Sequence, residues 1–156
     1  MCSFHLYGSP MIPTVNKIVD KGTAFYTLRW SRIIKVDKYE IITKVPAMAG
    51  IFELYYMDEK KKLVRFYMGK IWIGGLRTKI RKLTDPIIEE DTQRREVLEK
   101  YDCYYRYCVI EHQDDLDDVF YFFAGRYNPE ENKAEHSGRY EDIYVKEIDP
   151  DNLVTI

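Results

Sequence analysis

The stretch AGIFELYYMDEKKKLVRFYMGKIWIGGLRTKIRKL, residues 49–83, decides how the chain is read. Residues 49–57 are apolar and aromatic apart from Glu53. Residues 58–61 are the polar run Asp-Glu-Lys-Lys, and 63–72 return to aromatic and β-branched side chains. That succession predicts two strands joined by a charged turn. Gly69, Gly74 and Gly75 then punctuate the chain before Leu76, Ile80 and Leu83 fall at the i, i+4, i+7 spacing of one helix face.

The other face of that helix carries Arg77, Lys79, Arg81 and Lys82. From Asp58 to Asp85 nine Lys and Arg stand against three acids, a local net of +6 in a chain of net −2. A strand that ends in glycine and feeds a basic helix suits a phosphate ligand, because free backbone N–H groups and cationic side chains converge there. A plain solvated helix face has the same composition, and charge alone favours it. Trp72, just before the helix, is expected in the core, with stacking on a nucleobase as the alternative.

The 156 residues suffice for one domain with a real core. Hydrophobic content of 46% and aromatic content of 15% argue for a globular protein rather than a disordered one. A sequence pI near 6.0 gives no global case for nucleic acid, so any such case rests on the basic segment. Cys2, Cys103 and Cys108 form no CxxC pair. The last two lie five apart on an expected strand and so face opposite sides, which disfavours a shared metal or disulfide. Reduced thiols in a cytoplasmic protein are expected, with no membrane span and no signal peptide. His5, His112 and His136 are scattered, without the spacing of a helical metal site.

Outward from the central stretch, residues 13–22 are expected to form a helix, with Pro13 in its first turn, Val15, Ile18 and Val19 on its apolar face and Gly22 closing it. Residues 24–30, 32–36 and 39–45 look like strands, and this first third is expected to extend the main sheet or cover its edge. Asp85-Pro86 should start a second helix running to about Lys100. Residues 102–111 read as a further strand. Leu116, Val119, Phe120 and Phe123 mark a third helix, and 140–148 a final strand.

The motifs, taken in order, resemble the GIY-YIG nuclease superfamily. Gly50-Ile51-Phe52 stands where the family has its first triplet, and Tyr67-Met68-Gly69-Lys70 where it has the second. Gly75-Leu76-Arg77-Thr78-Lys79-Ile80 resembles the start of the family's basic helix. Residues 126–132, Arg-Tyr-Asn-Pro-Glu-Glu-Asn, resemble its closing motif. The resemblance spans 49–132. It implies phosphodiester hydrolysis with one divalent metal, Mg²⁺ or Mn²⁺, held by a glutamate on the last helix, with tyrosines orienting water and an arginine opposite the phosphate.

Residue by residue, Tyr67 matches the second tyrosine and Asn132 the closing asparagine. Lys79 stands at the helix arginine, which keeps the charge but not the bidentate fork. Phe52 replaces the first tyrosine, and Phe120 falls on the metal-binding glutamate. Asp117, one turn earlier, is the remaining candidate ligand, with Asp118 after a shift of register. The acids 114, 115, 117 and 118 also suit simple matching of a helix start.

The expectation is therefore an α/β domain, a small and mainly antiparallel sheet flanked by helices, over 46–156. A β-rich extension, 1–45, is expected to pack on it. Three functions remain open. The first is a nucleic-acid-associated domain with lost or altered catalysis, binding DNA through Lys70, Arg77, Lys79 and Arg81. The second is an active metal-dependent DNA endonuclease using Tyr67, Lys79, Asn132 and Asp117. The third is a non-catalytic protein-interaction module.

Overall fold

A computed structural model describes residues 12–127, 135–150 and 154–155. Alternating side chains build β1 (Val15–Asp20), β2 (Thr23–Arg29) and β3 (Ile33–Lys35), followed by helix α1 (Lys38–Lys44). The central hairpin is β4 (Gly50–Met57) and β5 (Leu63–Ile71), and it leads into α2 (Gly75–Leu83) and α3 (Thr92–Lys100). Strand β6 (Cys103–Val109), helix α4 (Gln113–Tyr127), β7 (Asp142–Ile148) and β8 (Val154–Thr155) complete the order. The chain is thus a mixed α/β fold with two mostly antiparallel sheets and, among the described residues, four helices.

The main sheet runs β5-β4-β6-β3-β8 and the second runs β1-β2-β7. One face of the main sheet, through Ile51 and Cys108, packs on α4 (Leu116, Val119, Phe123) and on Ala24, Tyr26 and Leu28 of β2. The other face, through Phe52, Leu54 and Tyr105, packs on Ile41 and Val45 beside α1 and on Leu76 and Ile80 of α2. Each fully buried aliphatic side chain contributes about 1.5–3 kcal/mol, so both layers matter to stability. Residues 15–45 interleave with the rest: β3 lies inside the main sheet beside β6, β2 pairs with β7, and α1 shares the second core.

Three elements differ from the expectation. Residues 15–20 form a strand rather than a helix, paired with β2 from Val15↔Leu28 to Asp20↔Thr23. Lys21 and Gly22 both have positive φ, the two-residue turn that suits a hairpin, and the β-branched Val15, Ile18 and Val19 favour strand. Residues 38–44 form a helix rather than a strand. Asp37 caps it by accepting from the Tyr39 and Glu40 N–H groups, and Ile41 is fully buried beneath it. Asp85 caps only a turn, and the helix begins at Thr92 with Asp91 as its N-cap.

Gly50 lies so close beneath β6 that a Cβ would collide with the Cys108 carbonyl oxygen, and α2 presses Leu76 against the same point. A side chain there would part the sheet from both neighbours. Gly75 combines φ +82 with a backbone approach to Ala47. These positions need glycine for packing, whatever the chemistry.

Glu53 is the one charged side chain buried on β4, with 1% of its side chain exposed. It accepts from Arg65 Nη1 at 2.6 Å and from Arg106 Nε at 2.6 Å, and the Tyr55 hydroxyl donates to it at 2.5 Å. Arg106 stacks 4.1 Å over Trp30 and also reaches Asp149 at 2.8 Å, while Trp30 Nε1 donates to Glu147. Burial works against the Arg106 cation, but Glu53 beside it holds the guanidinium above its ordinary pKa. A second network fixes α4 to the outer sheet. Asp115 pairs with Lys17 at 3.0 Å and Arg139 at 2.9 Å, and Tyr26 donates to Asp115 and to the fully buried Asp118.

Two outcomes are expected. Glu53→Ala leaves two guanidinium groups short of their counter-charge and should cost about 3–5 kcal/mol in urea unfolding; a loss below about 1 kcal/mol would mean the network contributes little. For Asp115, burial acts to raise the pKa, but Arg139, Lys17 and Tyr26 outweigh it and the net shift is downward. The folded pKa then lies below the unfolded one, so this stabilisation is present above about pH 3.9 and is lost as pH falls through the folded value. Melting temperature measured across that acid range should fall less steeply in Asp115→Asn than in the native protein.

Candidate nucleic-acid interface

Strand alternation decides which expected site residues meet. Tyr67 pairs opposite Leu54 and packs into the core beneath α1 and α2, with its ring 5.8 Å from Phe52. Lys70 pairs opposite Ile51 and therefore faces the other way, toward α4. Its Nζ lies 2.5 Å from Asp117 and 5.4 Å over the Phe120 ring. The three-residue spacing from Tyr67 to Lys70 is odd, and odd spacings change face. Lys70 and Asp117 therefore stand on one side of the sheet, with Tyr67 and the α2 cations on the other. Asn132 lies outside the described residues.

A β-bulge between Leu54 and Tyr55 adds one residue to β5 and resets its alternation. That shift brings Arg65 round to the Glu53 side, whereas without it Arg65 would share the face of Tyr67.

The resemblance implies a divalent metal, and the described residues at the matching positions do not supply a ligand set for one. Phe120 is packed in the core where the acid would stand, and Asp117 is already neutralised by Lys70. Among the described residues no three His, Cys, Asp or Glu side chains converge. Asp118 is used in holding Ser137 and Arg139. Cys103 and Cys108 are both buried on opposite faces of β6, and burial pushes each thiol up to about 12.

The start of α2 differs from the expected anion cradle. The Leu76 N–H donates to the Met48 carbonyl at 2.8 Å and the Arg77 N–H to the Pro46 carbonyl at 3.2 Å. Those two groups are spent on the segment before β4, which leaves side chains as the main means of holding an anion here. Arg77 Nε also donates to the Val45 carbonyl, at 2.7 Å, which anchors the guanidinium at the junction of α1 and α2.

Arg77 and Arg81 are four apart and share a row on α2, while Lys79 projects about 200° round the axis from Arg77. Lys82 and the uncharged Thr78 fill the arc between, so the solvent side of the helix carries four cations, of which Lys82 is exposed and the other three are half-buried. Among the described residues none of these four forms an ion pair. By contrast, Lys17, Arg65, Lys70, Arg94, Arg106 and Arg139 each have a carboxylate partner. The cationic surface stops at the acidic run 89–91. There the buried Glu89 takes two bonds from Arg94, at 3.2 and 3.3 Å, and Asp91 caps α3.

Arg94 was not visible as a site residue in the sequence. Its guanidinium lies 5.1 Å over the Tyr67 ring, and although burial opposes its charge, Glu89 keeps its pKa above the ordinary value. Trp72, expected in the core, is 39% exposed, and Ile73 beside it is 84% exposed. Ile42 and Ile88 flank Arg77 and Arg81 in a shallow pocket. No local pattern marked those two residues, because the pocket is formed only when α1 and the turn at 85–88 close around α2.

No helix among the described residues is long and apolar enough to cross a membrane. Neither the curated proteins nor the solved structures contain a match to this chain. A family model described as "Uncharacterised protein" matches residues 14–155, from the start of β1 to the end of β8, and the chain belongs to that family.

Proposed function

We propose that this protein is a nucleic-acid-binding domain of GIY-YIG-like design that has given up metal-dependent cleavage and contacts DNA through α2. The observation that carries the reading is the set of four cations, Arg77, Lys79, Arg81 and Lys82, on one exposed helix without carboxylate partners among the described residues. Like charges one turn apart on a helix repel by about 0.2–0.5 kcal/mol per pair, and a polyanion laid along them turns that repulsion into attraction. The half-exposed Trp72 at the head of the same helix supports it, since an aromatic face beside a basic groove is how unstacked bases are held.

The GIY-YIG likeness rests on the motif order along the chain, and β4, β5, α2, β6 and α4 follow that order. The absence of cleavage rests on the separation of parts. One catalytic metal needs its ligands and its activated water within a few ångströms, and Tyr67 and Asp117 have the main sheet between them. Lys70 leaves the DNA-contact set for the same reason. It serves as the counter-ion of Asp117 while its ammonium lies over the Phe120 ring.

A short single-stranded DNA should bind with an affinity that falls as salt rises. In a fluorescence-anisotropy titration, Lys79→Ala with Arg81→Ala and Lys82→Ala should reduce the slope of log K against log salt by about 0.7 for each phosphate no longer neutralised. Lys70→Ala should leave the slope unchanged. A native protein that shows no salt-dependent binding, or a Lys70 variant that loses it, would overturn the reading.

A further inference from the structure

Between α1 and α2 lies a cavity of about 320 Å³ lined by Ile42, Arg77, Thr78, Arg81, Lys82 and Ile88. Three of the six lining residues are cations and none is an acid. Arg81, one of the three, has its Nε buried, and among the described residues it is the only buried side-chain nitrogen or oxygen without a hydrogen-bond partner. A buried donor is ordinarily paired, so Arg81 gains an acceptor if its guanidinium turns toward an anion seated among these cations. Arg77, tied at Nε to Val45, is held with its terminal nitrogens uncommitted among the described residues.

We propose that this pocket takes the terminal phosphate monoester of a nucleic-acid strand. The proposal deepens the DNA-binding reading above and rests on it. Two arginines and a lysine match the nearly two negative charges of a monoester at neutral pH, whereas an internal diester offers one. Planar guanidinium groups give the two-point contact that phosphate oxygens accept. Ile42 and Ile88, 42% and 47% exposed, supply apolar walls for the attached sugar or base. The volume is at the small end of ligand pockets, which suits one terminal nucleotide rather than a run of them. Lys79, on the far flank of α2, lies outside the pocket and would follow the rest of the strand.

The test compares 5′-phosphorylated, 3′-phosphorylated and hydroxyl-ended versions of one single-stranded DNA by anisotropy at fixed salt. One phosphorylated form should bind about tenfold tighter than the hydroxyl form. In Arg81→Ala that ratio should fall to near one, Lys82→Ala should lower it, and Arg81→Lys should restore part of it. Lys79→Ala should weaken all strands and keep the ratio. Equal affinity of all three strands for the native protein, with salt dependence intact, would overturn the pocket and leave the DNA-binding reading standing. Salt-independent or absent binding of every strand would overturn both. Binding of vesicles containing phosphatidylinositol 4-phosphate in place of any strand would assign the pocket to a lipid headgroup and overturn the proposal.

Discussion

Both faces of the β4–β5 hairpin are covered, and that constraint governs everything else in the molecule. A strand buried on two sides must send alternate residues into two different cores, so its sequence is apolar almost throughout. Here Phe52, Leu54 and Tyr67 go to the helical layer, while Ile51, Glu53 and Lys70 go to the layer of α4 and the second sheet. The polar residues of the second group are then obliged to find partners in a confined space. Glu53 meets Arg65 and Arg106, and Lys70 meets Asp117.

The same constraint separates the charges of the protein into two populations. On the α4 side, acids and bases are matched within the fold, around Glu53 and around Asp115 and Asp118. Such pairs offset one another's desolvation and fix the packing of the layers, and they have little left to give a ligand. On the α2 side the cations are surplus. The carbonyls of Pro46 and Met48 occupy the start of the helix, so the side chains carry most of whatever binding that surface performs. Glycines 50 and 75, which look like parts of a nuclease signature, are also required by the close approach of α2 to the sheet.

Much of this frame is legible in the sequence. The hairpin, α2, β6 and α4 announce themselves by long apolar runs or by a clean helical stripe such as Leu116, Val119, Phe120 and Phe123. Residues 15–20 mislead because Val15, Ile18 and Val19 fit a helical spacing, and the Lys21-Gly22 turn looks like a helix end. Residues 38–44 mislead in the opposite direction: Tyr39, Ile41, Ile42 and Thr43 favour strand, and the cap at Asp37 with burial of Ile41 overrides them. The split between Tyr67 and Lys70 follows from the parity of their spacing, which the sequence itself contains. The pocket walls Ile42 and Ile88, the stacking of Arg94 on Tyr67 and the exposure of Trp72 depend on tertiary contacts between distant segments, and no local signal carries them.

On the proposed reading, nucleic acid meets helix α2 and not the α4 side of the sheet. Amide chemical shifts followed while single-stranded DNA is added would locate the contact without any substitution. Perturbations are predicted along 72–83 and at 87–88, with residues 113–120 unmoved. Shifts concentrated on Lys70, Asp117 and their neighbours, with α2 silent, would contradict it.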